Sequence, residues 1–343
     1  MAERVVVHVG QPKTGTTYLQ TIAWHHRDLL AELDGVRLPG DQRVDHLWTS
    51  LAVREDPKLA ARRPSAATAI DRVLEGIASW PGTAVVSHEF LGAATSEQAR
   101  RFLGRMRADR VELLVTAREP VSLMAAAWQE SLKLRRTTPL REFADGPTDD
   151  TGAVWSLRSL DLAGVLDRWA PHVAPGDTHV IVLPRKRGAP DELWHRFAEV
   201  VGLTADAYDT GVAASNRSMA LPETEFLRRL QPHLAGIEGN LQRNWWVRRY
   251  LAEGHLAGRE GPRIGLYADQ VEACRVRGEE AVAAVERHAV RVHGAVDDLR
   301  APADLPAQVT PDDLPVDAVL DAGVRTILDV ATDLVRTRRV ADA

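Results

Sequence analysis

Residues 4–20 read RVVVHVGQPKTGTTYLQ, and this stretch decides the fold. Val5–Val9 is a continuous, largely β-branched run, the pattern of a parallel strand covered on both faces. Gly10, Pro12 and Gly15 break the run as a turn. Helical spacing then begins at about Thr16 and carries Leu19, Ile22, His26, Leu29, Leu30 and Leu33, with Gly35 as a stop. A strand, tight loop and helix in that order gather backbone N–H groups at one spot, where the helix dipole adds partial positive charge. An anion, a phosphate above all, belongs there.

The same alternation continues outward. Ala84–Ser87, Val111–Thr116 and His179–Leu183 are further strand signals, with Val36–Leu38 as a short fifth. Thr95 and Gln98 form a capping box ahead of a helix through Met106. Pro120 suits the first turn of a helix running to about Lys133, and Pro190 opens another, Glu192 to Val201, ended by Gly202. After about Asn216 strand signals vanish. Pro222 to Leu234, Trp245 to Leu251 and Ala268 to Val292 read as helices, Ala301 to Pro315 as a loop, and Val316 to Val335 as a last helix. The expectation is an α/β fold: a parallel sheet flanked by helices over residues 1–218, and a helical C-terminal extension over residues 219–343 packed on it.

Composition bounds the function. The 343 residues are 45% hydrophobic and 27% charged, enough apolar material for a sizeable core, which excludes a disordered or collagen-like chain. A formal charge of −5 argues against a nucleic-acid coat or a polybasic membrane binder. No apolar run approaches the roughly 20 residues that span a bilayer, and MAERVVVHVG lacks a signal-peptide pattern. The expectation is a cytoplasmic protein without stable membrane insertion. Cys274 is the single cysteine, so neither an intrachain disulfide nor a cysteine zinc site can form. Of the 43 basic residues only Lys13, Lys58, Lys133 and Lys186 are lysines, and one of them sits inside the glycine-rich loop.

That loop departs from the G-x-x-x-x-G-K-[ST] phosphate motif. Gly10 and Gly15 supply its first half, but Thr16 and Thr17 follow where lysine is expected, and Lys13 lies within the loop instead. ATP-using loops of this kind also hold Mg²⁺ with an aspartate ending a nearby strand. Here the strands end VVSHE, LLVTAR and VIVLPR, so the loop reads as a cradle for a phosphate ester without a tightly held metal. His88-Glu89 lacks the second histidine of a zinc-protease motif.

PKTGTTYLQ resembles the 5′-phosphosulfate loop of sulfotransferases that use 3′-phosphoadenosine 5′-phosphosulfate. REPVSLMAAAWQESLK, DLAGVLDRWAPHV and DELWHRFAEVVGL also resemble an actinobacterial-type branch of these enzymes. The resemblance covers most of residues 4–218 and implies their P-loop-like sheet. It implies that Lys13 touches the oxygen bridging phosphate and sulfuryl group. Thr14, Gly15, Thr16 and Thr17 would then bind the 5′-phosphate. Arg118 would take the 3′-phosphate. The serine usual eight residues later is Ala126 here, and Ser122 would donate instead. Arg217, with Asn216 and Ser218, sits where many members place a further nucleotide loop.

The general base would come from TAVVSHEFL, with Glu89 preferred, His88 second and Asp161 a distant third. Neighbours on an extended segment point apart, so only one of His88 and Glu89 is expected to face the site. The acceptor would be a hydroxyl of a carbohydrate, lipid-linked sugar, phenol or natural product, and the tail's aromatic helices would permit a homodimer. Two other readings stand beside this one: an atypical kinase or nucleotide hydrolase needing Mg²⁺ and ATP, and a nucleotide-binding interaction module without turnover. Trp24, Trp128, Trp245 and Trp246 read as core residues before base-stacking ones. Arg185–Arg187 reads equally as a solvated loop or a nucleotide contact.

Overall fold

The apolar runs assemble into one parallel sheet in a computed structural model that describes residues 1–143, 154–186, 188–189, 191–213, 217–237 and 239–341. Its strands are β1 (Ala2–His8), β2 (Val36–Arg37), β3 (Thr83–Ser87), β4 (Ala108–Ala117), β5 (Thr178–Val182) and β6 (Arg291–His293). They lie in the order β2-β3-β1-β4-β5-β6, and every pairing is parallel. β1 is central, with His8 opposite Ser87 of β3 and Leu114 of β4. The loop leaving β1 therefore opens at the carboxyl edge between two neighbouring strand ends, where open parallel sheets place their ligands.

Helices cover both faces, as the expected α/β class requires. The longer helices of the chain are α1 (Thr16–His25), α2 (Arg27–Leu33), α3 (Arg43–Val53), α4 (Ala69–Ala78), α5 (Ser96–Leu103), α6 (Pro120–Lys133), α7 (Leu162–Trp169), α8 (Glu192–Val201), α9 (Leu221–Leu230), α10 (Ala268–Arg287) and α11 (Val316–Ala341), and α4, α5 and α7 lie on one face of the sheet with α1 and α8 on the other. Alternation along each strand divides the core. Val5, Val7, Val86 and Val115 pack with Ile77, Phe102, Leu166 and Trp169. Val6, Val85, Leu114 and Ile181 pack with Leu19, Ile22, Trp194 and Phe197 on the other face. The single helix expected from Thr16 to Leu33 is two, broken at His26, whose φ of −101° and ψ of 20° leave the helical region. The Thr95 capping box forms, though its helix stops at Leu103, three residues short of Met106.

The chain divides into two units, each compact in itself. The first comprises Met1–Leu123, Gly146–Ala214 and Ala273–Ala301 and holds the sheet. The second comprises Met124–Asp145, Ser215–Glu272 and Pro302–Ala343, and its regular structure among the described residues is helical apart from one antiparallel bridge between Met219 and Ala257. One strand was not anticipated after Asn216. α10 ends at Arg287 rather than Val292, Ala289 turns the chain with a positive φ, and β6 joins the free edge of β5. Three residues with one valine between polar neighbours carry no strand pattern; the sheet edge supplies what propensity does not. In the second unit Asn244–Leu256 winds as a π-helix, and Trp245 and Trp246 are about half exposed while Val247 is buried. They are not core residues: the coil turns Val247, Ala252 and Leu256 inward instead. No helix among the described residues is long and apolar enough to cross a membrane.

One buried charge ties four strands together. Glu112 of β4 is 1% exposed and accepts from Arg4 of β1. Arg110 Nε lies 3.1 Å and His179 Nε2 of β5 3.5 Å from its carboxylate, while His179 shares a 3.1 Å hydrogen bond with His293 of β6. Burial opposes ionisation of Glu112, but His179, Arg4 and Arg110 outweigh it and hold its pKa at about 2, below the ordinary 4.5. A carboxyl depressed on folding stabilises above its unfolded pKa and loses that contribution as pH falls through the folded one. The unfolding free energy, measured by urea titration, is expected to drop between pH 4.5 and 2, and Glu112→Gln to flatten that segment. An unchanged slope in the variant would remove Glu112 from the account.

Candidate active site

On the α1 side of the sheet three adjacent strands carry, at or next to their ends, a polar residue one alternation step beyond an apolar one: Val6 then His8, Val85 then Ser87, Leu114 then Thr116. These three are buried and bonded to one another. Gln20 of α1 donates to Ser87 Oγ at 3.2 Å, and Ser87 Oγ lies 2.9 Å from His8 Nδ1. His8 Nε2 lies 3.2 Å from Thr116 Oγ1, which is 2.6 Å from Thr14 Oγ1, and Thr14 donates to the Gln11 carbonyl at 2.5 Å. One proton arrangement satisfies every member: Ser87 donates to Nδ1, Nε2–H to Thr116, Thr116 to Thr14, and Thr14 to Gln11. It requires a neutral imidazole, and burial holds the His8 pKa down at about 4. Gly10 has to be glycine beside this chain, since a Cβ there would lie 2.4 Å from Thr116 Oγ1 and 2.7 Å from His8 Nε2.

The chain of bonds locks the β1–α1 loop from beneath. Thr14 is fully buried, and its hydroxyl builds the loop from within. Lys13 takes a φ of 67° and Gly15 a φ of 83°. A left-handed lysine costs roughly 1–3 kcal/mol, and residues held that way cluster at ligand clamps. α1 starts with no side-chain cap and no acidic residue in its first turn, leaving its terminal N–H groups to a ligand or water. Thr17 at its start is exposed and Thr16 is buried. Gln11 braces the far side, donating to Leu160 O at 2.7 Å and accepting from the Arg118 backbone at 3.3 Å.

His88 and Glu89 do not point apart. β3 ends at Ser87, and His88 caps a 3₁₀ turn over Glu89–Ala93. His88 is still extended, with φ −157° and ψ 123°, but the chain turns at Glu89, so His88 Nδ1 and Glu89 Oε2 come within 4.0 Å, with 12% and 16% of their side chains exposed. Gln20 Nε2 reaches Glu89 Oε2 at 3.4 Å, and Arg43 donates to Gln20 Oε1 at 3.1 Å. Burial opposes charge on Glu89, yet His88, its own backbone N–H, Gln20 and His8 together bring its carboxyl below the ordinary value. Burial lowers the His88 pKa, Glu89 opposes this, and Arg54 and Arg43 add to it. His88 Nδ1 accepts from Phe90 N–H at 3.2 Å, which leaves the proton of the neutral ring on Nε2. His88 therefore presents a donor, and Glu89 is the proton acceptor of the pair.

The remaining expected residues separate. Arg118 follows β4 and is half-buried beside the loop brace. Ser122 is in the first turn of α6, where Glu119 accepts from Val121 N–H and Ser122 N–H at 2.8 Å each. That carboxylate already caps this helix, and burial raises its pKa. Ala126 lies further along α6. Asp161 caps α7 by accepting from Gly164 N–H at 3.1 Å, a structural task. Arg217 belongs to the second unit, its side chain against Gly258; Asn216, Arg187 and Pro190 lie outside the described residues. Arg185 donates to Asp298 at 2.8 Å. No group of three or more His, Cys, Asp or Glu among the described residues could hold a metal ion.

His8, Ser87, Thr116, Gln11, Gln20 and Arg43 escaped the sequence reading. The signal was there for three: a polar residue at or next to the end of each of three apolar strands on the same alternation phase. No family model matches the chain, and no curated protein matches it. A solved structure does, the sulfotransferase domain from the curacin biosynthetic pathway, at 12% identity over 59% of this chain and 75% of that one with a TM-score of 0.32; the likeness is too distant to assign an activity. Thr116→Val is expected to leave His8 Nε2–H and Thr14 without their partner, at a cost of about 1–3 kcal/mol in urea unfolding. An unchanged midpoint would mean the bonded chain does not hold the loop.

Proposed function

We propose that the chain is a sulfotransferase that moves the sulfuryl group of 3′-phosphoadenosine 5′-phosphosulfate onto an acceptor hydroxyl, of a carbohydrate, lipid-linked sugar or natural product. The observation carrying this reading is the meeting, at adjacent strand ends, of an uncapped α1 terminus with Lys13 and a sheltered Glu89–His88 pair. The donor's 5′ end fits that cradle: the N–H groups of Thr16 and Thr17 are uncapped and no carboxylate stands in the first turn. The donor supplies an activated sulfuryl group on a phosphate leaving group. Lys13 and the α1 N–H groups hold the 5′-phosphate and stabilise its charge. Glu89, kept ionised and oriented by Gln20, takes the acceptor's proton. His88 Nε2–H orients the acceptor oxygen, and Arg118 takes the 3′-phosphate.

Glu119 supports a second reading. Its carboxylate occupies the N–H groups at the start of α6, beside Arg118, an arrangement that also suits a ligand with phosphate at the 5′ side alone. A nucleotide-binding module or an ATP-dependent enzyme would have that need.

The reading is tested by calorimetric titration with adenosine 3′,5′-bisphosphate in the absence of metal, with ATP and Mg²⁺ as the comparison. Binding without metal is expected, weakened about tenfold or more by Lys13→Ala. Glu89→Gln is expected to keep that binding and to lower transfer by roughly 10²–10⁴-fold, the share of a general base. Binding of ATP with magnesium alone would overturn the proposal in favour of the second reading.

A further inference from the structure

We propose that α11 is the surface through which two copies of this chain associate, paired antiparallel about Leu328. One face of the helix is fully used at home. Val319, Ala322 and Thr326 are buried, and Gly323 lies so close to α9 that a Cβ would stand 2.8 Å from a Phe226 ring carbon. Tyr250 donates to Asp333 at 2.8 Å, and Arg259 donates to Asp329 at 2.7 Å and to Thr326 at 3.1 Å. These bonds set the rotation of the helix about its axis, and hence which face turns outward.

The outward face is aliphatic. Val316, Leu320, Val324, Ile327, Leu328, Leu334 and Val335 are 52–73% exposed. Leu320, Val324, Ile327, Ala331 and Leu334 recur at the alternating spacing of a helix–helix seam. Together the exposed side chains offer an area on the order of the ~800 Å² that one partner of a standard interface buries. Patches of that size on a folded surface mark an interaction site.

Charge selects the occupant. Over the first half of the helix Asp317 and Asp321 are exposed beside the stripe with Arg325 as the one cation, and towards its end Arg336 is exposed and the sequence continues TRR, while Asp329 and Asp333 are already engaged by Arg259 and Tyr250. A second copy laid antiparallel sets the acidic start of each helix beside the basic end of the other, with Leu320 and Val324 against Leu334 and Val335. The small Ala331 lies near the axis, where two helices approach most closely. A parallel pair would stack aspartates on aspartates and arginines on arginines. An anionic lipid surface would meet Asp317 and Asp321, the wrong sign for an interfacial helix.

Sedimentation velocity on the full chain tests this. The expected species at micromolar concentration has twice the 37.7 kDa chain mass. Ile327→Asp with Leu334→Asp, both at exposed positions, is expected to weaken association at least about tenfold with an unaltered thermal melt. Asp321→Arg alone is expected to weaken it, and Asp321→Arg with Arg336→Asp to restore it. A wild-type monomer at about 100 µM, a range where standard interfaces are saturated, would overturn the proposal. So would a dimer indifferent to the aspartate pair, a charge swap without rescue, or co-sedimentation with phosphatidylserine vesicles in place of self-association.

Discussion

The hydrogen-bond chain from Gln20 through Ser87, His8 and Thr116 to Thr14 is the constraint on which the rest of the site depends. It crosses three adjacent strands and ends inside the loop that leaves the central one. A chain of this kind has one satisfied proton arrangement, and burial makes any broken link costly. A loop of alternating turn residues would otherwise sample many shapes. Anchored at Thr14 from below and braced at Gln11 from the side, it holds Lys13 in a backbone conformation that lysine disfavours. The strain at Lys13 is thus balanced by bonds made elsewhere.

The same chain connects the loop to the His88–Glu89 pair. Gln20 donates to Ser87 and also to Glu89, so one side chain of α1 reads both the strand end and the carboxylate. α1 accordingly does two things: its first turn presents N–H groups, and its next turn positions Glu89. Any displacement of the helix moves both at once. In the proposed transfer, this coupling would hold the leaving group and the acceptor in line.

The sheet and most of its helices were legible because long apolar runs and strong caps announce themselves: Val5–Val9 and the Thr95–Gln98 box need no tertiary help. β6 was not, since Arg291–His293 becomes a strand only because β5 offers a free edge. Trp245 and Trp246 were misplaced in the core because an α-helical period was assumed where the chain winds as a π-helix. At the site, Lys13 and the His88–Glu89 pair stand out by type, but their relation does not. The alternation rule separates His88 from Glu89, and it fails because the extended backbone ends at His88 and a 3₁₀ turn begins at Glu89. His8 and Thr116 look like ordinary strand residues until the register sets them side by side. Glu119 could not be read as a helix cap from the sequence, since glutamate is an uncommon one.

Whether the nucleotide site recognises both phosphates of the proposed donor decides the account. The most direct measurement is the ratio of metal-free affinities for adenosine 3′,5′-bisphosphate and adenosine 5′-monophosphate, in the wild type and in Arg118→Ala. The account predicts that the bisphosphate binds at least about tenfold more tightly, as a charge-assisted contact to one more phosphate implies, and that Arg118→Ala removes the difference. Equal affinities in the wild type would contradict it.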